Sequence, residues 1–561
     1  MASFLNVWLA TFQISLGANR TALLAVRYTT GYLRVLRHQF RHGLLDFHEL
    51  VPEAAQQRRS VNAETRAKIR AWREQGLSVG EIAELLCEDG TEVSVRTVAR
   101  VLAEEGFARL PRRAGLKVGR TVKGAQIPER SETVELADLE GQSFECAGAG
   151  AFLFAPFIAQ LGLPEVVRSA GLPESKAIPA LNYFLSFLTL KLLGTERYAH
   201  VSDHAFDPGL GLFAGLNVLP KCTAMSTYSH ALDNVHIHNL QAAFVKKAQT
   251  LGLYDGDIIN LDFHTMPHYG EESILEKHWA GARGKVMKGA LTLIAQDAGS
   301  KLMVNTASDI QREEVDDQVL QFNTFWAGIR NGKASPKFIF DPRLTSYHQL
   351  STLNAAGVKF LTLRRRGKKL VQDITKIKDW TKIHIPHAKL KYPDPEVHAS
   401  EVKLMDYAGK VRQVVMRGNG YDEPAILITN DFEVPLELLV GDYARRWRVE
   451  NGIAEAVKFF HLNSLSSPIL VEVHFDVALS MIADTLYSML AHKLRGFEEC
   501  NAPKVYRDFV QGKAMVAVKD GKVTVIYPRK AHNPILRLVP WHLLPLEVPG
   551  LGGAPLELRF L

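Results

Sequence analysis

The spacing of apolar positions changes character along the chain. Between residues 60 and 108 it is helical. Ile69 and Trp72 share one face of a segment that Ser60 or Asn62 caps and Gly76 ends. Ser78 opens a second segment with Ile82, Leu85 and Leu86 apolar, and Gly90 follows it. Ser94 opens a third, with Val98, Val101 and Leu102 apolar. From about 150 to 250 the pattern stays mostly helical, with apolar runs around 151–163, 179–193 and 230–252. It then shortens into strands. Ile258-Ile259-Asn260-Leu261-Asp262-Phe263 predicts a buried strand that ends in a carboxylate. Ala290 to Ala295 and Leu302 to Asn305 predict two more, and 312–330 a helix. Phe338-Ile339-Phe340-Asp341 predicts a second apolar strand ending in a carboxylate, then a helix at 345–356 and a strand from Val358 to Leu363. Residues 380–430 alternate in short segments and read as mostly β, and 436–460 and 474–495 as amphipathic helices. The mixture predicts an α/β class with a β-rich insertion, preceded by an all-α N-terminal part.

Length, at 561 residues, fits three to four domains. With 47% hydrophobic and 23% charged residues the composition is globular, which excludes a mainly disordered chain. The net charge of +7 is mild, so only its distribution implicates a polyanion. From Arg58 to Arg120 there are 13 basic and 9 acidic residues, and Arg109, Arg112, Arg113, Lys117, Arg120 and Lys123 crowd a Pro- and Gly-containing stretch. Cys87, Cys146, Cys222 and Cys500 form no C-x-x-C pair, which argues against a disulfide framework or a Cys-based zinc site and for reduced intracellular thiols. Phe4 to Leu16 is shorter than the roughly 20 residues of a membrane span and lacks the basic start of a signal peptide. The expectation is a soluble, cytoplasmic protein. Its expected order is an N-terminal extension (1–58, a basic helix or an ill-packed tail), a helix-turn-helix (59–108), a basic linker (109–127), a mostly helical connecting region (128–253), an α/β domain (254–495) with an insertion at about 370–432, and an unassigned region (496–561).

Three helices with Gly-containing turns match a helix-turn-helix, and the third exposes Arg96, Thr97 and Arg100, which suit phosphates and base edges. Asp262 and Asp341 each follow an apolar strand, where a carboxylate is costly unless it is paired or binds a cation. Glu450 lies in Tyr443-Ala444-Arg445-Arg446-Trp447-Arg448-Val449-Glu450. On a helix, Tyr443, Arg446 and Glu450 fall on one face. Three convergent carboxylates can hold two Mg²⁺ ions and act on a phosphodiester.

On these residues the segment from about 254 to 495 resembles the catalytic region of bacterial insertion-sequence transposases of the D-D-E class. Their RNase H-like core carries an Asp on the first strand, an Asp after the fourth and a Glu on a later helix. One subgroup has a β-rich insertion before the Glu and a Tyr-x-x-Arg-x-x-x-Glu-x-x-x-x-x-x-Lys signature. Here 109 residues separate Asp341 from Glu450, and Tyr443, Arg446 and Glu450 match the spacing; position 457 is Val, and Lys458 comes one residue late. The resemblance implies two Mg²⁺ (or Mn²⁺) ions held by Asp262, Asp341 and Glu450, and cleavage at transposon ends followed by strand transfer into target DNA. It implies phosphate contact by Arg446, DNA positioning by Tyr443, and a homodimer or higher assembly on DNA.

Other signals compete. His264 and His268, with Glu271 and Glu272 beyond, have zinc-like spacing, but Pro267 and the preceding strand argue against the helix it needs, and His264 is instead a candidate to line the cleavage site. Asp297 and Asp309 are reserve carboxylates. The basic run Arg364-Arg365-Arg366-Gly367-Lys368-Lys369 is a candidate DNA-backbone contact, and Trp447 a core residue. A non-catalytic DNA-binding regulator and a metal-dependent nuclease without strand transfer are the alternative functions.

Overall fold

The computed structural model describes residues 61–107 and 130–561, apart from 76, 92, 205, 270–274, 309, 331–334, 386–391, 419, 421–422, 447–453, 456, 466 and 468. The chain divides into two compact units, residues 1–124 and 125–561, and the division falls within the basic stretch 109–127. The extension 1–58 and that stretch lie outside the described residues.

The first unit holds α1 (Ala63–Glu74), α2 (Val79–Glu88) and α3 (Val95–Glu104). Each start is capped by a side chain: Asn62 on Thr65 N, Ser78 in a reciprocal box with Glu81, and Ser94 on Thr97 N. Ile69, Ile82, Leu86, Val98, Val101 and Leu102 form the core at the expected helical positions. Arg66 ties α1 to Glu105, just past α3, at 2.9 Å.

The second unit opens with a short strand, β1 (Ser143–Cys146), and a helical layer: α4 (Ala155–Gln160), α5 (Leu163–Ala170), α6 (Ala180–Leu192), α7 (Pro208–Phe213), α8 (Cys222–Ser229) and α9 (Asn234–Thr250). Next come β2 (Ile258–Pro267), β3 (Lys277–Ala280), β4 (Lys285–Asp297), β5 (Met303–Ala307), α10 (Gln318–Ile329), β6 (Lys337–Phe340), α11 (Tyr347–Ala355), β7 (Phe360–Leu363) and α12 (Lys368–Thr375). After these run β8 (Thr381–Lys382), β9 (Glu396–Val402), β10 (Val411–Arg417), β11 (Ala425–Thr429), α13 (Leu436–Arg445) and α14 (Leu470–Ala491). Strands β2 to β11 form one mixed sheet in the order β3-β4-β2-β6-β7-β11-β10-β9-β8, with β5 also on β4. The β-rich stretch expected as an insertion therefore extends the main sheet, antiparallel from β7.

Several expectations need correction. β2 does not end at Asp262: its parallel partner β6 stops, but antiparallel β4 pairs with it as far as Pro267. Of the helix expected at 436–460, Leu436–Arg445 is helical and so are 454–455 and 457–459, with 447–453 and 456 outside the described residues; the one expected at 474–495 runs from Leu470 to Ala491. Residues 496–561, left unassigned, supply β12 (Ala514–Lys519), β13 (Lys522–Tyr527), β14 (Glu547–Val548) and β15 (Ala554–Phe560). These join β1 in a second sheet, β1-β12-β13-β15-β14. The connecting region and the end of the sequence are thus one body with the α/β core. Among the described residues no single helix is long and apolar enough to cross a membrane.

Candidate active site

Alternation along β2 sends Ile259 and Leu261 into the large core. Ile258, Asn260, Asp262 and His264 point to the opposite face. That face is covered by α13, whose Leu439 and Val440 pack with Ile339, Leu361, Val414 and Leu427. Asp442 fixes the register of this helix: its buried carboxylate pairs with Lys337 at the start of β6 and with Arg445. The anchored end of α13 brings Arg446 to Asp262, Nη1 to Oδ2 at 3.2 Å. The Arg446 guanidinium also lies 5.6 Å from the centre of the Tyr443 ring.

β2 and β6 pair in parallel from Ile258 opposite Lys337 to Leu261 opposite Phe340. Asp262 and Asp341 each directly follow the last of these pairs, at the end of neighbouring parallel strands. Pro342 turns the chain after Asp341, and Asp341 Oδ1 accepts from Arg343 N at 3.0 Å. Burial pushes the Tyr443 hydroxyl up to about 12; Arg446 opposes the shift, while Asp341 and Asp262 add to it. Tyr443, Arg446 and the two carboxylates thus share one electrostatic neighbourhood.

His264 follows Asp262 on the same face. Its Nε2 donates to Asn463 Oδ1 at 2.8 Å, leaving Nδ1 as the acceptor nitrogen. Burial lowers its pKa, opposed in part by Asn463, so the ring is neutral at pH 7. Asn463 sits in a turn where His461 adopts φ 55° and its Nε2 donates to Gly194 O at 3.1 Å. Sequence reasoning reached this turn without assigning it a role; the available signal was a polar cluster, His461-Leu462-Asn463-Ser464, directly after an apolar helical stretch.

The other candidates are dispersed. Glu450 and Trp447 lie outside the described residues, as does Asp309. Lys458 is exposed, just before the buried Phe459 and Phe460. Arg364 bonds Gln413, Arg366 pairs with Glu423, and Arg365 donates to Pro342 O at 3.0 Å and Thr345 O at 3.2 Å. Arg365 therefore braces the turn behind Asp341. Asp297 is structural: it accepts from Gly256 N, Ser300 N and Ser300 Oγ, each at 2.8 Å. Arg96, Thr97 and Arg100 belong to α3 in the first unit; Thr97 Oγ1 lies 2.9 Å from Ser94 Oγ, and Arg100 pairs with Glu104 at 2.6 Å. His264 lies on a strand rather than the helix a zinc motif needs, and among the described residues no three His, Cys, Asp or Glu side chains gather as metal ligands.

Asp262 and Asp341 offer the hard oxygen donors that Mg²⁺ or Mn²⁺ takes. The Arg446 cation beside Asp262 marks a spot where positive charge is favoured. The pair therefore fits such an ion, with any third carboxylate coming from outside the described residues.

Fold and site together define a mixed α/β protein with paired carboxylates at adjacent parallel strands. No family model matches the chain, and no curated protein matches it. A solved structure it is similar to is the cryo-EM synaptic complex of piggyBac transposase with hairpin DNA, at 10% identity and a TM-score of 0.35, over 64% of this chain and 78% of that one. A likeness of that size is too slight to argue from.

Proposed function

We propose that the chain is a DNA transposase of the D-D-E class, cleaving DNA at transposon ends and joining them to a target. The observation that carries this reading is that Asp262 and Asp341 each directly follow the last paired residue where β2 and β6 run side by side. The strand order β5-β4-β2-β6-β7, with β4 antiparallel and β6 parallel to β2, supports an RNase H-like core. In it Asp262 lies on the first core strand and Asp341 directly follows the fourth, leaving aside the β3 edge.

Asp262, Asp341 and Glu450 would hold Mg²⁺ or Mn²⁺, two ions per site; when bound, these supply an activated water or 3′-hydroxyl and charge stabilisation at the phosphodiester. Arg446 offers a planar fork to a phosphate oxygen once a cation takes over at Asp262. Tyr443, protonated at neutral pH, donates to the same backbone. His264, held neutral by burial and oriented by Asn463, presents Nδ1 as an acceptor. Arg96, Thr97 and Arg100 on α3 read the element ends, and Lys458 is free to meet DNA from its exposed position. The protein works in the cytoplasm at the nucleoid, as a dimer or larger assembly on DNA.

The test is cleavage of a labelled duplex carrying the sequences that flank the gene, with Mg²⁺ or EDTA, by wild type and Asp262→Ala. Metal-dependent nicking lost in the variant is expected. Equal cleavage by both proteins overturns the assignment of Asp262, and binding without cleavage by either would make the chain a regulator.

A further inference from the structure

The β3–β4 hairpin was not singled out by its sequence, yet its surface is unusual. Trp279 and Val286 face each other across the two strands and are 52% and 58% exposed. Lys277 shares their side of the hairpin, whereas His278, Ala280, Met287 and, at the end next to the turn, the exposed Lys285 alternate to the other side. From Lys277 to Lys288 there are four basic residues and no acidic one. Among the described residues Lys277 and Lys285 have no carboxylate partner. Arg283 at the turn donates from Nε to the hydroxyl of Tyr269, itself 61% exposed, at 2.9 Å, and its guanidinium lies 5.3 Å from that ring's centre.

An exposed Trp–Val pair with Lys277 beside it, Arg283 at the turn and Lys285 on the reverse side leaves apolar surface in water with positive charge around it. A partner with flat aromatic faces and negative charge satisfies both, and nucleic acid combines them. Position in the ladder adds a second argument. Val286 and Ile294 lie eight residues apart on β4, and Ile294 pairs with Asp262. An even separation keeps both on one face of the sheet. At about 3.4 Å per residue the Trp279–Val286 pair stands about 27 Å along that face from Asp262, roughly eight base-pair steps.

We propose that the β3–β4 hairpin is a DNA-docking arm: Trp279 and Val286 pack against the sugar-base edge of a duplex while Lys277 and Arg283 meet its phosphates and Lys285 adds positive charge from the reverse side, several base pairs from the carboxylates. The proposal rests on the DNA-processing reading above and adds a surface to it. The hairpin positions substrate and takes no part in the chemistry.

The test uses the full chain and a fluorescein-labelled mixed-sequence duplex of about four helical turns. Anisotropy titrations over a range of salt compare wild type, Trp279→Ala, Trp279→Phe and the double variant Lys277→Gln/Lys285→Gln. Trp279→Ala should weaken binding about tenfold, with Trp279→Phe restoring most of it. The double variant should lower the slope of log K against log salt by about 1 to 2. Thermal melting should match wild type, because these side chains stand in solvent. Unchanged affinity and slope in all variants, with wild type binding DNA, overturn the arm and leave the DNA reading intact. Unchanged affinity with a lowered sedimentation mass for Trp279→Ala makes the face a self-association surface and also overturns it. Failure of wild type to bind any duplex sinks both readings together.

Discussion

The two faces of the central strands are made from alternate residues of the same segments, yet they are built to different ends. On one, Ile259, Leu261, Phe338, Phe340 and Phe360 are fully buried, and Phe322 of α10 meets Phe338 edge-on with ring centres 5.3 Å apart. On the other, β2 presents Asn260, Asp262 and His264 beneath α13. Asn260 is 1% exposed, and neither polar atom of its side chain has a hydrogen-bond partner among the described residues. A buried polar group left unmatched costs about 1–3 kcal/mol. The contrast teaches that one strand, β2, can give its apolar positions to the large core while its other side, beside the smaller core under α13, keeps polar groups at a stability cost, the arrangement expected where a strand serves chemistry.

Substitutions can break or sharpen that contrast. The largest effect belongs to the apolar face: Phe340→Ala should lose about 3–5 kcal/mol in urea unfolding and take metal-dependent nicking with it, since Phe340 precedes Asp341. On the polar face, Arg446→Ala removes the cation facing Asp262 and should cost about 2 kcal/mol. Adding Asp262→Asn to that variant should recover part of the loss, and strict additivity in the double-mutant cycle would show that the pair is not coupled. Asn260→Leu should be neutral or stabilising by up to about 1 kcal/mol. A loss above that would reveal a bonded role for Asn260 and make the two faces less different. The smallest effect is in pH. Burial lowers the folded pKa of His264 below its ordinary value of about 6.5, so on acidification the unfolded chain takes up the proton first. Its stabilising contribution is complete above that pH and is lost as pH falls through the folded value. His264→Gln should flatten the stability profile on the acid side, and an identical profile would remove His264 from the account.

The apolar face was legible in sequence for a physical reason. Strands buried on both sides read as near-continuous apolar runs, so Ile258 to Leu261, broken only by Asn260, and Phe338 to Phe340 stood out, and the Asp that follows each run stood out with them. The continuation of β2 beyond Phe263 to Pro267 did not, because half-buried positions carry a mixed pattern. Arg446 was found through its spacing from Tyr443. Its bond to Asp262 was not, since that needs α13 docked by Asp442 onto Lys337, a pairing across 105 residues. Asn463 was missed for the same reason: its partner His264 lies 199 residues away. The β3–β4 hairpin did leave a local mark, Gly281-Ala282-Arg283-Gly284 between two short runs, with Gly284 at φ 60°.

The second sheet has a consequence for biosynthesis. β1 pairs with β12, Cys146 opposite Ala514, and that sheet is completed only by β15. A ribosome adding about 5–20 residues per second therefore takes on the order of 20–70 s to deliver the partner of β1. For that interval the nascent chain displays an open strand edge and the apolar helices beside it. Production of active protein should accordingly track chaperone supply more closely than the rate of translation.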